Sequence, residues 1–195
     1  MRHGLQAQGV TNMKIALVML VMLAFVTAAG AQQPSSKPQK QPPPQAAASD
    51  NGFVTKIAQV GIAEVEMGKL AVEKSMREDV KKFGQRMVDD HTKAGDALKA
   101  VAMKKNMSWP SETDPEHKAL HDRLSKQSGA AFDRAYMQAM ADGHRKVAAD
   151  FRKEIKSGAD ADVKAWAEKT LPTVEAHLKD AESVNRALHS STSTH

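Results

Sequence analysis

One glutamate and three histidines, Glu64, His91, His144 and His177, stand where the surrounding pattern asks for apolar side chains. Counting from His91 in threes and fours gives Val80, Gly84, Met87, Ala94, Leu98 and Val101, otherwise one unbroken helical seam. His144 interrupts the stripe Phe132, Tyr136, Met140, Val147, Phe151, Ile155 in the same way. His177 falls in the seam Val163, Ala167, Thr170, Val174, Ala181, Val184, Leu188, and Glu64 in Phe53, Ile57, Val60, Met67, Ala71. A buried carboxylate or imidazolium left unpaired costs several kcal/mol, so such groups must pair, neutralise or bind something. Three neutral imidazoles and a carboxylate are ligands for one divalent transition ion: zinc, iron, copper or manganese. The same four groups could instead form a metal-free Glu–His network that fixes helix register. Met67, Met87 and Met140 lie one turn away on the same seams, with Tyr136 one turn beyond Met140. They would form an adjacent layer that suits a soft ion or simply fills the core.

Other chemistry has less support. A carboxylate-bridged di-metal site needs a Glu from two helices and Glu-x-x-His from two more. The residues three before the histidines are Val88, Ala141 and Val174, and the acids two before them, Asp89, Asp142 and Glu175, are rotated about 200° towards solvent. A metal-dependent oxidoreductase is therefore the third-ranked expectation, and no catalytic residue is assigned. Asp89 and Asp90 are expected to face water or the flank of their seam. His117 and His121, four apart, could chelate a surface ion but read more simply as a solvated pair. No phosphate-binding glycine loop, nucleophile elbow or triad spacing occurs, and no small-molecule substrate is indicated.

The elements that must position these groups are helices. The spacing predicts a first helix over 51–74, a second to about Lys105 and a third over 130–156. The fourth opens at Asp160–Asp162, with Pro172 one turn before His177 expected to kink it. Asp114-Pro115-Glu116 starts a short connecting helix: cap, proline at the first position, acid in the first turn. Tight turns make two antiparallel hairpins. The midpoint between 64 and 91 falls in the first turn and that between 144 and 177 in the second, so all four polar residues should meet at mid-height. The expected fold is all-α: a ferritin-like four-helix bundle of two hairpins joined by a long, helix-containing crossover. DVKKF (79–83) and DVKAW (162–166) suggest a weak repeat and pseudo-twofold packing.

Around this bundle, residues 1–31 read as a signal peptide: Arg2 and Lys14, the apolar run 15–26, and Ala29-Gly30-Ala31 as cleavage site. Residues 32–50, rich in Pro and Gln, read as an extended linker, 51–189 as the bundle and 190–195 as a frayed tail. The whole chain has 28 basic and 23 acidic residues, with net charge +5. Arg2 and Lys14 fall in the signal, so the remainder is a mixed, solvated surface rather than a nucleic-acid stripe. The absence of cysteine excludes disulfides, thiol catalysis and thiolate metal sites.

The segments GIAEVEMGKLA, DVKKFGQRMVDDHTKA, FDRAYMQAMADGHRKV and VKAWAEKTLPTVEAHLKDA resemble, in order, the bacterial domain of unknown function 4142 over about 53–188. The resemblance implies an exported, ferritin-like four-helix protein, periplasmic or outer-membrane associated, and its recurrent positions map onto Glu64, His91, Tyr136, His144 and His177. It implies no activity. The expected partners are an envelope protein and, if the signal is retained as an anchor, a membrane.

Overall fold

The computed structural model describes residues 44–190, in which five helices and no strand occur. The signal peptide, residues 32–43 of the linker and the end of the tail lie outside the described residues. Helix α1 spans Pro44–Lys74, α2 Glu78–Lys104, α3 Pro115–Ser125, α4 Gly129–Ser157 and α5 Ala161–Ser190.

The stretch Pro44–Asp50 is helix, not the extended linker its composition suggests. Proline is tolerated at a helix's first position because its missing N–H would have no partner there anyway. Asp50, fully buried, accepts hydrogen bonds from the Ala159 and Asp160 backbone N–H groups at 3.1 and 2.6 Å. It thereby ties the start of α1 to the α4–α5 turn. At the other end α5 continues through Ser190, a one-residue difference of the kind helix fraying produces.

Three helix boundaries have a clear local cause. Ser75 stops α1: its Oγ accepts from the Arg77 N–H at 3.0 Å, opening the turn into α2. Asn106 takes φ 54°, the left-handed conformation asparagine tolerates, just past the end of α2. Asp114 caps α3 by accepting from the Glu116 and His117 N–H groups at 2.9 and 3.1 Å, with Pro115 at the first position. Pro172 sits inside α5, which continues through it.

The helices α1 and α2 pair as one hairpin and α4 and α5 as the other. Lys56 with Asp150 joins α1 to α4, while Arg86 with Asp180 and Lys104 with Asp162 join α2 to α5. Glu64 facing His144 is a second α1–α4 pair, so in both cases one helix's numbering rises as its neighbour's falls and all neighbours in this four-helix arrangement are antiparallel. The connection after α2 runs back along α1. Ser108 N–H donates to Asn51, and the Thr113 hydroxyl donates to the Gln59 carbonyl. The chain then enters α3, whose buried Leu124 packs against α4-end residues such as Phe132.

The core divides in two. One cluster holds Met67, Val80, Phe83, Met87, Phe132, Tyr136 and Met140; the other holds Phe53, Ile57, Leu98, Val147, Phe151, Trp166 and Val174. On every long helix the break between clusters falls at the residue the seam made polar: Glu64, His91, His144 or His177. Phe83 and Trp166, equivalent in the sequence repeat, lie in opposite clusters. Hairpins related by a pseudo-twofold axis would place them so.

The α1–α2 contact is close near its turn. A Cβ on Gly68 would lie 2.6 Å from the Gly84 carbonyl oxygen, and one on Gly84 2.8 Å from that of Gly68. Only glycine permits the two backbones to approach this far.

Candidate metal centre

Glu64, His144 and His177 are at most 3% exposed, and the His91 side chain is 12% exposed. Their helices present them at one level. Glu64 Oε2 lies 2.9 Å from His91 Nε2, and Glu64 Oε1 lies 3.4 Å from His144 Nδ1. The ring centroids of the histidines are 5.3 to 5.7 Å apart, pair by pair. One ring nitrogen from each histidine lies within 4.8 Å of the others. Bonds of about 2.1 Å to a shared ion require nitrogens no more than about 4.2 Å apart, so side-chain rotations of under about 1 Å would close the set.

Hydrogen bonding fixes where the lone pairs point. His144 Nδ1 is 2.9 Å from the Met140 carbonyl oxygen, which can only accept, so Nδ1 carries the proton and Nε2 the lone pair. His177 Nε2 is 2.8 Å from Asp90 Oδ2, so here Nε2 carries the proton and Nδ1 the lone pair. Those two lone-pair nitrogens, His144 Nε2 and His177 Nδ1, have no hydrogen-bond partner within the protein. Glu64 Oε2 and His91 Nε2, 2.9 Å apart, face each other as an ion pair and have no other partner within the protein. The structure thus gathers the three histidines around one point, while Glu64 stands beside His91 and His144 rather than within that set. Outer partners that hold a histidine's far N–H are what metal-ligating histidines use to set tautomer and ring orientation.

Charge is distributed unevenly across the layer. Burial alone would raise the Glu64 pKa, but the His144, His91 and His177 rings around it hold it down to about 2. For His91, burial pulls the pKa down and the facing Glu64 carboxylate more than restores it, so it ends raised. Burial lowers His144, against the pull of Glu64. Burial likewise brings His177 down to about 4, although Asp90 opposes the shift. The layer therefore holds an ionised Glu64 carboxylate facing His91, which keeps its proton more readily than a free histidine, beside two imidazoles, His144 and His177, that are held neutral.

Asp90 is the residue that sequence reasoning misplaced in role. It lies on the seam's flank, as expected, but that flank faces α5, where it holds His177 and is itself held by Arg86 at 3.2 Å. The usable signal was the Arg86/Asp90 spacing of four on the side of α2 turned to its neighbour. Met67, Met87, Met140 and Tyr136 are all buried in the cluster on the α1–α2 turn side. The Tyr136 hydroxyl has no partner within the protein, and burial, then the Glu64 charge, pushes its pKa upward.

The remaining candidates stay apart from the layer. Asp89, Asp142 and Glu175 engage Gln85, Gln138 and Arg152 in exposed contacts. His117 Nδ1 lies 2.5 Å from Asp114 and His121 Nδ1 3.6 Å from Asp122, so each has its own carboxylate and the two share no centre. No described helix is long and apolar enough to cross a membrane.

A family model described as a domain of unknown function, DUF4142, matches residues 35–184. No curated protein and no solved structure matches the chain. With the family match spanning α1 to α4, most of α5 and the whole polar layer, the chain belongs to the DUF4142 family.

Proposed function

We propose that this chain is an exported, ferritin-like bundle whose Glu64/His91/His144/His177 layer binds one divalent transition-metal ion, in a storage, sensing or stress role in the cell envelope. The observation that carries the reading is the gathering of one ring nitrogen each from His91, His144 and His177 within 4.8 Å of one another, beside the Glu64 carboxylate, with protons held on His144 Nδ1 and His177 Nε2. A buried ring nitrogen without a partner costs about 1–3 kcal/mol, a cost that a bound ion would remove at His144 Nε2 and His177 Nδ1. Zinc, iron, copper and manganese all suit the donor set. Export rests on the sequence of residues 1–31 and on the family resemblance. The mechanism is binding: α1, α2, α4 and α5 each deliver one ligand, and the carboxylate offsets part of the ion's charge.

A second reading has its own support. The Glu64–His91 ion pair and the Asp90–His177 contact already neutralise much of the layer, as a register-setting network in an envelope interaction module would. Metal content separates the two. The mature domain, purified untagged from a periplasmic preparation, is expected to retain about one ion per chain, and a His91→Ala/His177→Ala variant almost none. Near-zero metal in both, with a melting temperature unmoved by zinc, copper, iron or manganese, would leave the network reading standing.

A further inference from the structure

A cleft of about 380 Å³ opens between α1 and α2, with Val174 and Trp166 of α5 and Phe151 of α4 in its wall. That is within the roughly 300–1,000 Å³ range of small-molecule sites. Its upper end is the polar layer, since Glu64, His91 and His177 line it; its lower end is aromatic, lined by Trp109, Phe151 and Trp166. The chain has only two tryptophans, and both are here.

Two glycines show how the cleft is kept open. Gly61 on α1 and Gly95 on α2 lie at the same level of the hairpin and both line the cleft. A Cβ on either would meet nothing within 4 Å, whereas at Gly68 and Gly84 it would strike the facing backbone. Glycine inside a helix is unfavourable by roughly 1 kcal/mol relative to alanine. Packing accounts for Gly68 and Gly84; nothing in the folded chain fills the space beside Gly61 and Gly95. The polar end is equally unfilled: Glu64 Oε2, His91 Nε2 and His177 Nδ1 have no hydrogen-bond partner within the protein, and Glu64 and His177 are at least nine-tenths buried.

We propose that this cleft binds a small hydroxylated aromatic molecule, its ring among Trp109, Phe151 and Trp166 and its hydroxyl at the Glu64/His91/His177 end. A hydroxyl both donates and accepts, which complements a carboxylate oxygen and ring nitrogens side by side. Aromatic walls supply stacked and edge-on contacts for a ring. The cleft shares the polar layer with the metal reading but does not depend on it: the hydroxyl oxygen can meet the ring nitrogens directly, or an ion held by them.

The test uses para-propylphenol and, as the control lacking the hydroxyl, propylbenzene. Binding is followed by tryptophan fluorescence and ligand-detected NMR, on the metal-free and on the zinc-treated full-length mature protein, with zinc content measured separately. The phenol is expected to bind and perturb the tryptophan emission, and propylbenzene to bind at least about tenfold more weakly. Gly61→Leu and Gly95→Leu place side chains into open space on helices that favour them, so both should fold, and each is expected to weaken phenol binding at least about tenfold. Three results overturn the proposal: no phenol binding in either form, equal binding of propylbenzene, or unchanged binding in both folded leucine variants. Phenol binding without zinc uptake would remove zinc as the layer's ion and keep this proposal; zinc uptake without phenol binding would overturn this proposal and keep the metal reading.

Discussion

At the scale of single residues, the layer is a set of protons held in chosen places. Asp90 keeps the His177 proton on Nε2 and the Met140 carbonyl keeps the His144 proton on Nδ1. Asp90→Asn can present its amide N–H₂ to His177 and favour the opposite tautomer, turning the lone pair away from the layer. Metal affinity is expected to fall about 10–100-fold, measured by competition with a chromophoric chelator, while the half-exposed position leaves the fold intact. Unchanged affinity would mean that His177 is not a ligand. His91 is the other lever. Its pKa is raised by Glu64, so it holds a proton to higher pH than an ordinary histidine and must shed that proton to coordinate. Binding should therefore displace this proton and tighten as pH rises, read as a buffer-dependent heat in titration calorimetry. Heat independent of the buffer would contradict this. The layer itself was legible in the sequence because a period of 3.6 sorts residues into inward and outward. Asp90 was not, because that sorting says nothing about which neighbouring helix a flank residue touches.

At the scale of helices, the two glycine pairs of the α1–α2 hairpin should respond in opposite directions. Gly84→Ala forces a Cβ to 2.8 Å from the Gly68 carbonyl oxygen and is expected to destabilise by about 1–3 kcal/mol. Gly61→Ala meets open space and should stabilise by up to about 1 kcal/mol. Denaturant melts of the pair decide it; two changes of the same sign would show that the hairpin does not narrow towards its turn. The α4–α5 end carries a pH dependence. Glu154 is 5% exposed, and burial, then the adjacent Asp50, raises its pKa to about 7, with Asp160 adding to the shift and Lys164 opposing it. The folded form thus holds this proton more tightly than the unfolded chain does. The contribution favours folding below the usual value of 4.5 and is lost as pH rises towards 7, up to roughly 3 kcal/mol. Glu154→Gln is expected to melt higher than the parent at pH 8 and to flatten the stability profile between about pH 5 and 7. An unchanged profile would show that Glu154 does not titrate there. None of this was readable in sequence. Glu154 and Asp50 meet only because α1 begins at Pro44, and that start depends on Asp50 reaching Ala159 and Asp160 across the fold.

At the scale of the molecule, two apolar clusters sandwich one polar layer, and the chain's order follows from that requirement. Hairpins with a polar residue near the middle of each arm can bring four such residues to one level only if they pack with their turns at opposite ends or the same end. The long connection through α3 carries the chain back along α1 and allows the first. The equal distances of 64 and 91, and of 144 and 177, from their turns made this level visible in the sequence. The cleft beside it was not visible, because a helical glycine reads the same whether it faces a backbone or a void. The central claim, that the layer holds an ion, is met most directly by anomalous diffraction from crystals of the protein loaded with zinc. The account expects one strong peak per chain, about 2.0–2.2 Å from a nitrogen of each of His91, His144 and His177 and from an oxygen of Glu64. A layer without a peak, or zinc confined to the surface histidines His117 and His121, would contradict it.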